Sequence, residues 1–194
     1  MISMAPAWEI IAPGSSTRRW YRNGPRDRVG TTHGNSEMER VMLVFVLAAL
    51  IGGVAGLRAM MAPAAVSWAA YLGWLDLSGT WLSFAGHWLT PWVLTVAAIG
   101  ELVTDQLPST PSRKTPPQFA ARILTGAICG AAIGTVGGMW LGGSVAGVVG
   151  ALVGTVGGSA VRAKLAASFG RDPPAALLED AVAILAAVFA VSAI

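Results

Sequence analysis

Two pairs of acidic residues lie within otherwise apolar stretches of this chain. Glu101 and Asp105 are four residues apart, a spacing that places both carboxylates on one face of a helix. Glu179 and Asp180 follow about two helical turns into the last apolar stretch. Carboxylates inside apolar helices usually face the interior and mark a path for ions or protons. Together with Arg58 as a counter-charge, these residues form a candidate polar or ion site.

The same residues also suit a purely structural role. Glu101 and Asp105 lie at the end of a predicted helix, where the helix dipole disfavours negative charge, so a basic group, a cation or a proton must compensate. Glu179 and Asp180 are neighbours in sequence, so their side chains point in different directions. An ion pair that fixes helix packing is therefore the alternative to an ion site. The sequence does not choose which acid pairs with Arg58.

A second candidate site is the loop that follows Asp105, with the sequence PSTPSRKTPP. Its hydroxyl and basic side chains precede a predicted helix N-terminus, a combination that suits a phosphate or a lipid headgroup. A solvated turn is the alternative. The candidate residues of this anion loop are Ser109, Thr110, Ser112, Arg113 and Lys114.

No arrangement of residues in the sequence is typical of catalysis. There is no Ser/His/Asp set, no nucleophile elbow and no phosphate-binding glycine loop. The chain has one cysteine, Cys129, and two histidines, His33 and His87, which argues against a thiolate zinc site or a multi-histidine metal site. We therefore expect no enzymatic activity, no metal and no cofactor.

The elements that must position the charged residues are those of a membrane protein. Of 194 residues, 54% are hydrophobic and only 12% are charged, and the mean hydropathy is +0.62. Soluble domains carry about 25% charged residues. The basic residues border apolar runs and do not form one soluble basic face, so loops of a membrane protein explain them better than nucleic-acid binding. The sequence predicts an all-α, polytopic transmembrane bundle.

Glycines recur at intervals of four through the stretch 126–158. In lipid such a stretch is helical because its backbone must be satisfied internally, and the glycine ridge lets a neighbouring helix approach closely. We expect the two helices of this stretch to pack as an antiparallel pair. The predicted helix-packing glycines are Gly126, Gly130, Gly134, Gly138, Gly142, Gly150, Gly154 and Gly158.

About five to six membrane segments are predicted, with broken or re-entrant pieces near Pro63 and Pro91 because proline interrupts a helix. The expected segments are 41–57, 64–77, a short piece to 89 followed by 92–106, 118–141, 144–161 and 174–194.

Residues 1–37 have a different composition, with five arginines among proline, glycine, serine and asparagine. We predict a disordered basic tail followed by a single transmembrane domain, 38–194. Met38 begins a sequence typical of the start of a membrane protein, so the tail can also lie upstream of the true start.

The basic residues predict a cytoplasmic N-terminus. We assume that residues 58–91 begin and end on the same side of the membrane. All 13 Lys and Arg residues except Arg58 then lie on the cytoplasmic side. This arrangement places the C-terminus outside.

Three stretches together resemble one family: GLRAMMAPAAVSWAA, GELVTDQLPSTPSRKTPP and the closing LLEDAVAI. It is the bacterial membrane-protein family catalogued as domain of unknown function 4126 (DUF4126). The resemblance covers about residue 41 to the C-terminus. It implies an integral protein of the bacterial inner membrane, and it implies no reaction.

Two functions follow as hypotheses. The first is a small ion or solute transporter or channel that uses the intramembrane acidic site. The second is a non-transporting scaffold or assembly protein whose glycine ladders pack against partner helices or a second copy. The partners expected are the lipid bilayer and, for the ladders, a homo-oligomer, with no nucleic acid.

Overall fold

The computed structural model describes residues 29–105 and 115–194, with side chains from residue 35 onward. The chain divides at residue 39 into two compact units. Of the first unit, only residues 29–38 are described, and they are helical. The second unit, 39–194, holds the other helices and the candidate site residues.

The described residues form α-helices and the turns between them, with no strand among them. Two short 3-10 turns, Ser83–Gly86 and Thr135–Gly137, lie within the connections. The helices are α1 (Val29–Leu57), α2 (Met61–Tyr71), α3 (Thr90–Thr104), α4 (Pro116–Gly134), α5 (Trp140–Phe169) and α6 (Asp172–Ser192).

Within the described residues, 4 helices are long and apolar enough to cross a membrane, namely α1, α4, α5 and α6. The shorter helices α2 and α3 are the broken pieces predicted near Pro63 and Pro91. Both prolines lie in the first turn of their helix, where a missing amide hydrogen costs nothing. The break itself precedes Pro63, at residues 58–60. The prediction of an all-α transmembrane bundle is confirmed, with a segment count that agrees with five to six.

Helix α1 begins upstream of the predicted first segment, at Val29. Residues 29–37, which the composition assigned to a disordered tail, therefore belong to a helix. Once an apolar segment is helical, extending it by another residue costs little compared with starting a helix. The predicted tail residues 1–28 lie outside the described residues.

Helix α5 packs against α4 and α1 through glycines on two of its faces. A Cβ added at Gly130 of α4 would lie 2.8 Å from the Cα of Gly147, and one added at Gly134 would lie 3.0 Å from the Cα of Gly143. The order of these contacts makes α4 and α5 antiparallel. Residues 126 and 130 thus meet α5 where only a hydrogen atom fits.

The α1–α5 contact runs in the parallel sense. Gly150 and Gly154 face Gly53 of α1, and Gly158 faces Leu57. The glycines of α1 that take part, Gly52, Gly53 and Gly56, were not among the predicted packing residues. Their spacing in the sequence IGGVAG is the signal that could have identified them.

Two glycines of the predicted ladder have other surroundings. Gly138 has φ of +68° and nothing near its Cβ position, so it forms the left-handed turn that ends the α4 segment. The helix-packing role predicted for Gly138 is therefore wrong. Gly142 lies against the ring of Phe45 in α1, with a Cβ position 2.6 Å from the ring edge.

Candidate functional site

The centre of the site is the break between α1 and α2. Helix α1 ends at Leu57 and α2 begins at Met61, and the connection carries Arg58, which is fully buried. A helix end leaves carbonyl groups without partners, and a helix start leaves amide groups without partners. In a buried position both sets must find hydrogen bonds elsewhere.

Arg122 supplies donors to the end of α1. Its Nη1 donates to the carbonyl oxygens of Gly56 at 2.9 Å and Leu57 at 2.5 Å. The hydroxyl of Thr155 donates to the Gly56 carbonyl as well, at 3.2 Å. A guanidinium at this position also offsets the negative end of the helix dipole.

Glu101 supplies acceptors to the start of α2. Its two carboxylate oxygens accept the amide hydrogens of Ala59 and Met60, each at 2.8 Å. Arg122 lies beside it, with Nη2 3.4 Å from the Glu101 carboxylate. A carboxylate at a helix N-terminus is stabilised by the dipole and by the free amides. Glu101 of α3 therefore acts as a side-chain cap for α2.

Arg58 links the helix break to two other helices. Its Nε donates to Asp180 of α6 at 2.7 Å, and its Nη2 lies against the same carboxylate oxygen. Its Nη1 pairs with Asp105 of α3. One buried guanidinium thus connects α1, α3 and α6. Removing one partner of such a buried ion pair is expected to cost about 3–5 kcal/mol.

The neighbouring residue Glu179 makes a separate ion pair. Its carboxylate lies 3.5 Å from Nη1 of Arg162 in α5. Arg162 also donates to Asp172 at the start of α6, at 3.0 and 2.5 Å. Glu179 and Asp180 are both nearly buried and turn toward different partners.

The structure therefore brings together Arg58, Glu101, Asp105 and Asp180, and places Glu179 beside them in a separate pair. The Arg58 pairings that the sequence left open are with Asp105 and Asp180. The predicted site did not include Arg122, which the sequence offered only as one of several bases that could compensate Glu101 and Asp105; its position nearly two turns into an apolar helix was the available signal. The loop residues Ser109, Thr110, Ser112, Arg113 and Lys114 lie outside the described residues.

The charged groups do not balance. Among the described residues, the network around Arg58 holds the guanidinium groups of Arg58 and Arg122, and the carboxylates of Glu101, Asp105 and Asp180. With all of them ionised it carries one excess negative charge. No group of three His, Cys, Asp or Glu side chains in the described part of the chain is arranged to hold a metal ion.

The contacts of Arg58 overturn the count of basic residues used to predict orientation. That count placed Arg58 on the opposite side of the membrane from the rest. Arg58 instead pairs with Asp105, and Arg122 binds the end of α1, so Arg58 and Arg122 lie at the same end of the bundle. The reason is that α2 and α3 form a hairpin, which returns the chain to the end where it began.

The family assignment rests on residues that include this network. The model of the family described as "Domain of unknown function (DUF4126)" matches residues 45–193. The chain belongs to the DUF4126 family. No curated protein and no solved structure matches it. The matched range contains every residue of the network around Arg58, so the helix break and its charged partners lie within the DUF4126 domain.

Proposed function

We propose that this DUF4126 protein is a small ion-coupled transporter or channel of the bacterial inner membrane, with Asp105 and Asp180 as its ion-binding carboxylates. The observation that carries the proposal is the fully buried Arg58, held at a helix break by carboxylates from two other helices. Interrupted helices with charged groups often line the binding sites of transporters. The proton is the ion that the excess negative charge fits best.

In the proposed transport, binding of a proton changes which carboxylates are paired with Arg58. A proton that binds a carboxylate oxygen of Asp105 removes the charge that holds α3 to Arg58. Arg58 then remains paired with Asp180 of α6, while Glu101 still caps α2. Protonation of Asp180 has the converse effect and removes the ion pair between Arg58 and α6. Each carboxylate thus controls one ion pair of Arg58, while α3 stays tied to the α1–α2 break through Glu101 in either state.

Space for a transported group is present beside the site. A cavity of about 220 Å³ lies between α5 and α6, next to the end of α1. Its wall is apolar apart from Arg162 and Glu179, which lie at its edge. Such a cavity is open to a solute or an acyl chain that carries little charge.

Proton flux into liposomes tests the proposal. The purified chain is reconstituted with a pH-sensitive dye inside the vesicles, and an imposed potential drives the proton. We expect Asp105→Asn and Asp180→Asn each to lower the flux at least about tenfold, because each removes a carboxylate that is proposed to bind the proton. The matched control is Glu39→Gln, which removes one carboxylate on the exposed surface of α1.

The outcome that overturns the site assignment is a flux that Asp105→Asn and Asp180→Asn leave unchanged while both variants stay folded. An absence of flux for protons, Na⁺ and K⁺ in the wild-type protein overturns ion transport itself.

A non-transporting scaffold is the second candidate, and a separate observation supports it. The carboxylates around Arg58 are already bonded to guanidinium groups or to backbone amides, as in a structural network. Helices α5 and α6 also expose valine and leucine side chains over much of their length. Co-purification of a stoichiometric helical partner, or cross-linking of two copies through these faces, supports this function. The proposal in either form includes no enzymatic reaction.

The orientation depends on where translation begins. Among the described residues of the second unit, Arg40 lies at the end opposite Arg58, while Arg122 and Arg162 lie at the Arg58 end. If residues 1–37 are present, their five arginines favour a cytoplasmic N-terminus, as the sequence predicted. If the chain starts at Met38, the Arg58 end is the cytoplasmic one.

A further inference from the structure

The connection between α2 and α3, residues 72–89, lies away from the Arg58 end. Helices α2 and α3 pack as an antiparallel hairpin, since Glu101 caps the start of α2 and Trp68 donates to Thr95 at 3.0 Å. With 11 residues, α2 rises only about 16 Å. The connection therefore lies toward the opposite end of the bundle, at a depth set by a helix too short to cross a bilayer.

Large aromatic side chains surround this connection. Trp74, Trp81, Phe84, Trp88 and Trp92 are between 55 and 61% exposed. Tryptophan is enriched where a membrane meets water, because its ring is apolar and its N–H requires a polar partner. The cluster therefore places the connection in the interface between headgroups and acyl chains.

The polar side chains of the connection face a cavity. It has a volume of about 510 Å³ and is lined by Asp76, Ser78, Ser83 and His87, with Phe84 and Leu77 as apolar walls. It is thus large enough for a headgroup-sized ligand and combines a carboxylate with an aromatic face.

Asp76 is the anion of this cavity. One of its carboxylate oxygens accepts the hydroxyl hydrogen of Ser78 at 2.6 Å and the amide hydrogen of the same residue at 2.9 Å. These two hydrogen bonds lower the pKa of Asp76 below its ordinary value, and the bond from the hydroxyl has the larger effect. Among the described residues, Asp76 makes no ion pair with a basic side chain. A charged carboxylate thus remains available in the same cavity as the ring of Phe84.

We infer that this cavity binds an ammonium group, carried either by an amine lipid headgroup or by a free organic amine at the membrane surface. The Asp76 carboxylate supplies the opposite charge, and the ring of Phe84 supplies a cation–π contact. The surrounding tryptophans hold the cavity at the depth of the headgroups. This site is independent of the network around Arg58 and does not rest on ion transport.

Native mass spectrometry of the full chain released from detergent tests the inference. The protein is mixed with equal amounts of phosphatidylethanolamine and phosphatidylglycerol, and the retained lipids are counted. We expect a preference for phosphatidylethanolamine that falls about fivefold in Asp76→Asn and about threefold in Phe84→Leu. These factors correspond to the interaction free energies typical of an exposed ion pair and of a cation–π contact. Glu39→Gln, which removes an exposed carboxylate elsewhere, should leave the preference unchanged.

Competition separates the two sources of the ammonium group. Ethanolamine that displaces the lipid at low millimolar concentration identifies a site for a free amine, whereas no displacement identifies the lipid headgroup. Because the pKa of Asp76 is lowered, its charge persists as the pH falls to the ordinary carboxyl value, and protonation of Asp76 below that pH should abolish binding.

Equal retention of both lipids by the wild-type protein, with no binding of ethanolamine, overturns the inference. It is also overturned if Asp76→Asn and Phe84→Leu both keep the preference. Asp76 is exposed, so its substitution should leave the melting temperature of the protein unchanged. If Asp76→Asn lowers the melting temperature as well as the lipid preference, Asp76 has a structural role instead.

Discussion

The contact between α4, α5 and α1 at Gly147 can be tested with one methyl group. A Cβ at Gly147 would meet the carbonyl group of Gly126 and lie 3.0 Å from the Cα of Gly130. Helix α1 also packs on Gly147, since a Cβ added at Gly52 of α1 would lie 2.7 Å from the Cα of Gly147. Ordinary contacts of a Cβ lie at 3.4–4 Å, and the atoms that this Cβ would meet are backbone atoms of α4, which cannot turn away as a side chain can. Gly147→Ala must therefore move whole helices.

Two opposing terms set the size of the effect. Replacing glycine by alanine inside a helix stabilises it by about 0.5–1 kcal/mol. Overpacking of a well-packed interior costs about 1–3 kcal/mol. We expect Gly147→Ala to destabilise the protein by about 1–2 kcal/mol. The matched control is Gly157→Ala in the same helix, where nothing lies within 4 Å of the added Cβ. Only the propensity gain applies there, so this variant should be slightly more stable than the wild type.

Thermal unfolding in one detergent, followed by helical circular dichroism and by size-exclusion fluorescence, measures the difference. The two variants should melt about 5–10 °C apart, with Gly147→Ala the lower. If Gly147→Ala melts with or above Gly157→Ala, the helices do not meet at Gly147 and the packing of α5 between α4 and α1 is wrong.

Two further predictions concern the charged end and the topology. Arg58→Leu leaves the carboxylates of Asp105 and Asp180 buried without their partner and should lower the free energy of unfolding by about 3–5 kcal/mol. Combining it with Asp105→Asn and Asp180→Asn should recover much of that stability. If Arg58→Leu alone is as stable as the wild type, the ion pairs of Arg58 are wrong. For the topology, cysteines placed singly at Glu39 and Val136 should react with an impermeant thiol reagent from the same side of the membrane, since the start of α1 and the α4–α5 turn lie at one end. Labelling from opposite sides would restore the arrangement that the basic residues alone predicted.

The fold class followed from composition and spacing, because both act locally. Apolar runs of spanning length must be helical in lipid whatever surrounds them, so the transmembrane bundle was predictable. Pro63 and Pro91 indicated the two short helices, because proline interrupts a helix unless it lies in the first turn. Glycines at intervals of four marked a face of α4, since spacing fixes which residues share a face, but the α5 glycines that meet this face, Gly143 and Gly147, were outside the predicted set. Gly138 satisfied the spacing but ends a helix, because the same residue type suits a close contact and a left-handed turn.

What the sequence could not determine is which charged side chain meets which, because those contacts join residues far apart in the chain. The acids and Arg58 were identifiable as buried charges, yet Glu101 proved to cap α2 while Asp105 and Asp180 hold Arg58. Those assignments depend on α2 and α3 forming a hairpin, which brings α3 back to the end of α1. Hydrophobic patterning is the same for a helix that runs in either direction, so local sequence predicts the helices, and only tertiary packing decides at which end of the membrane their charges meet.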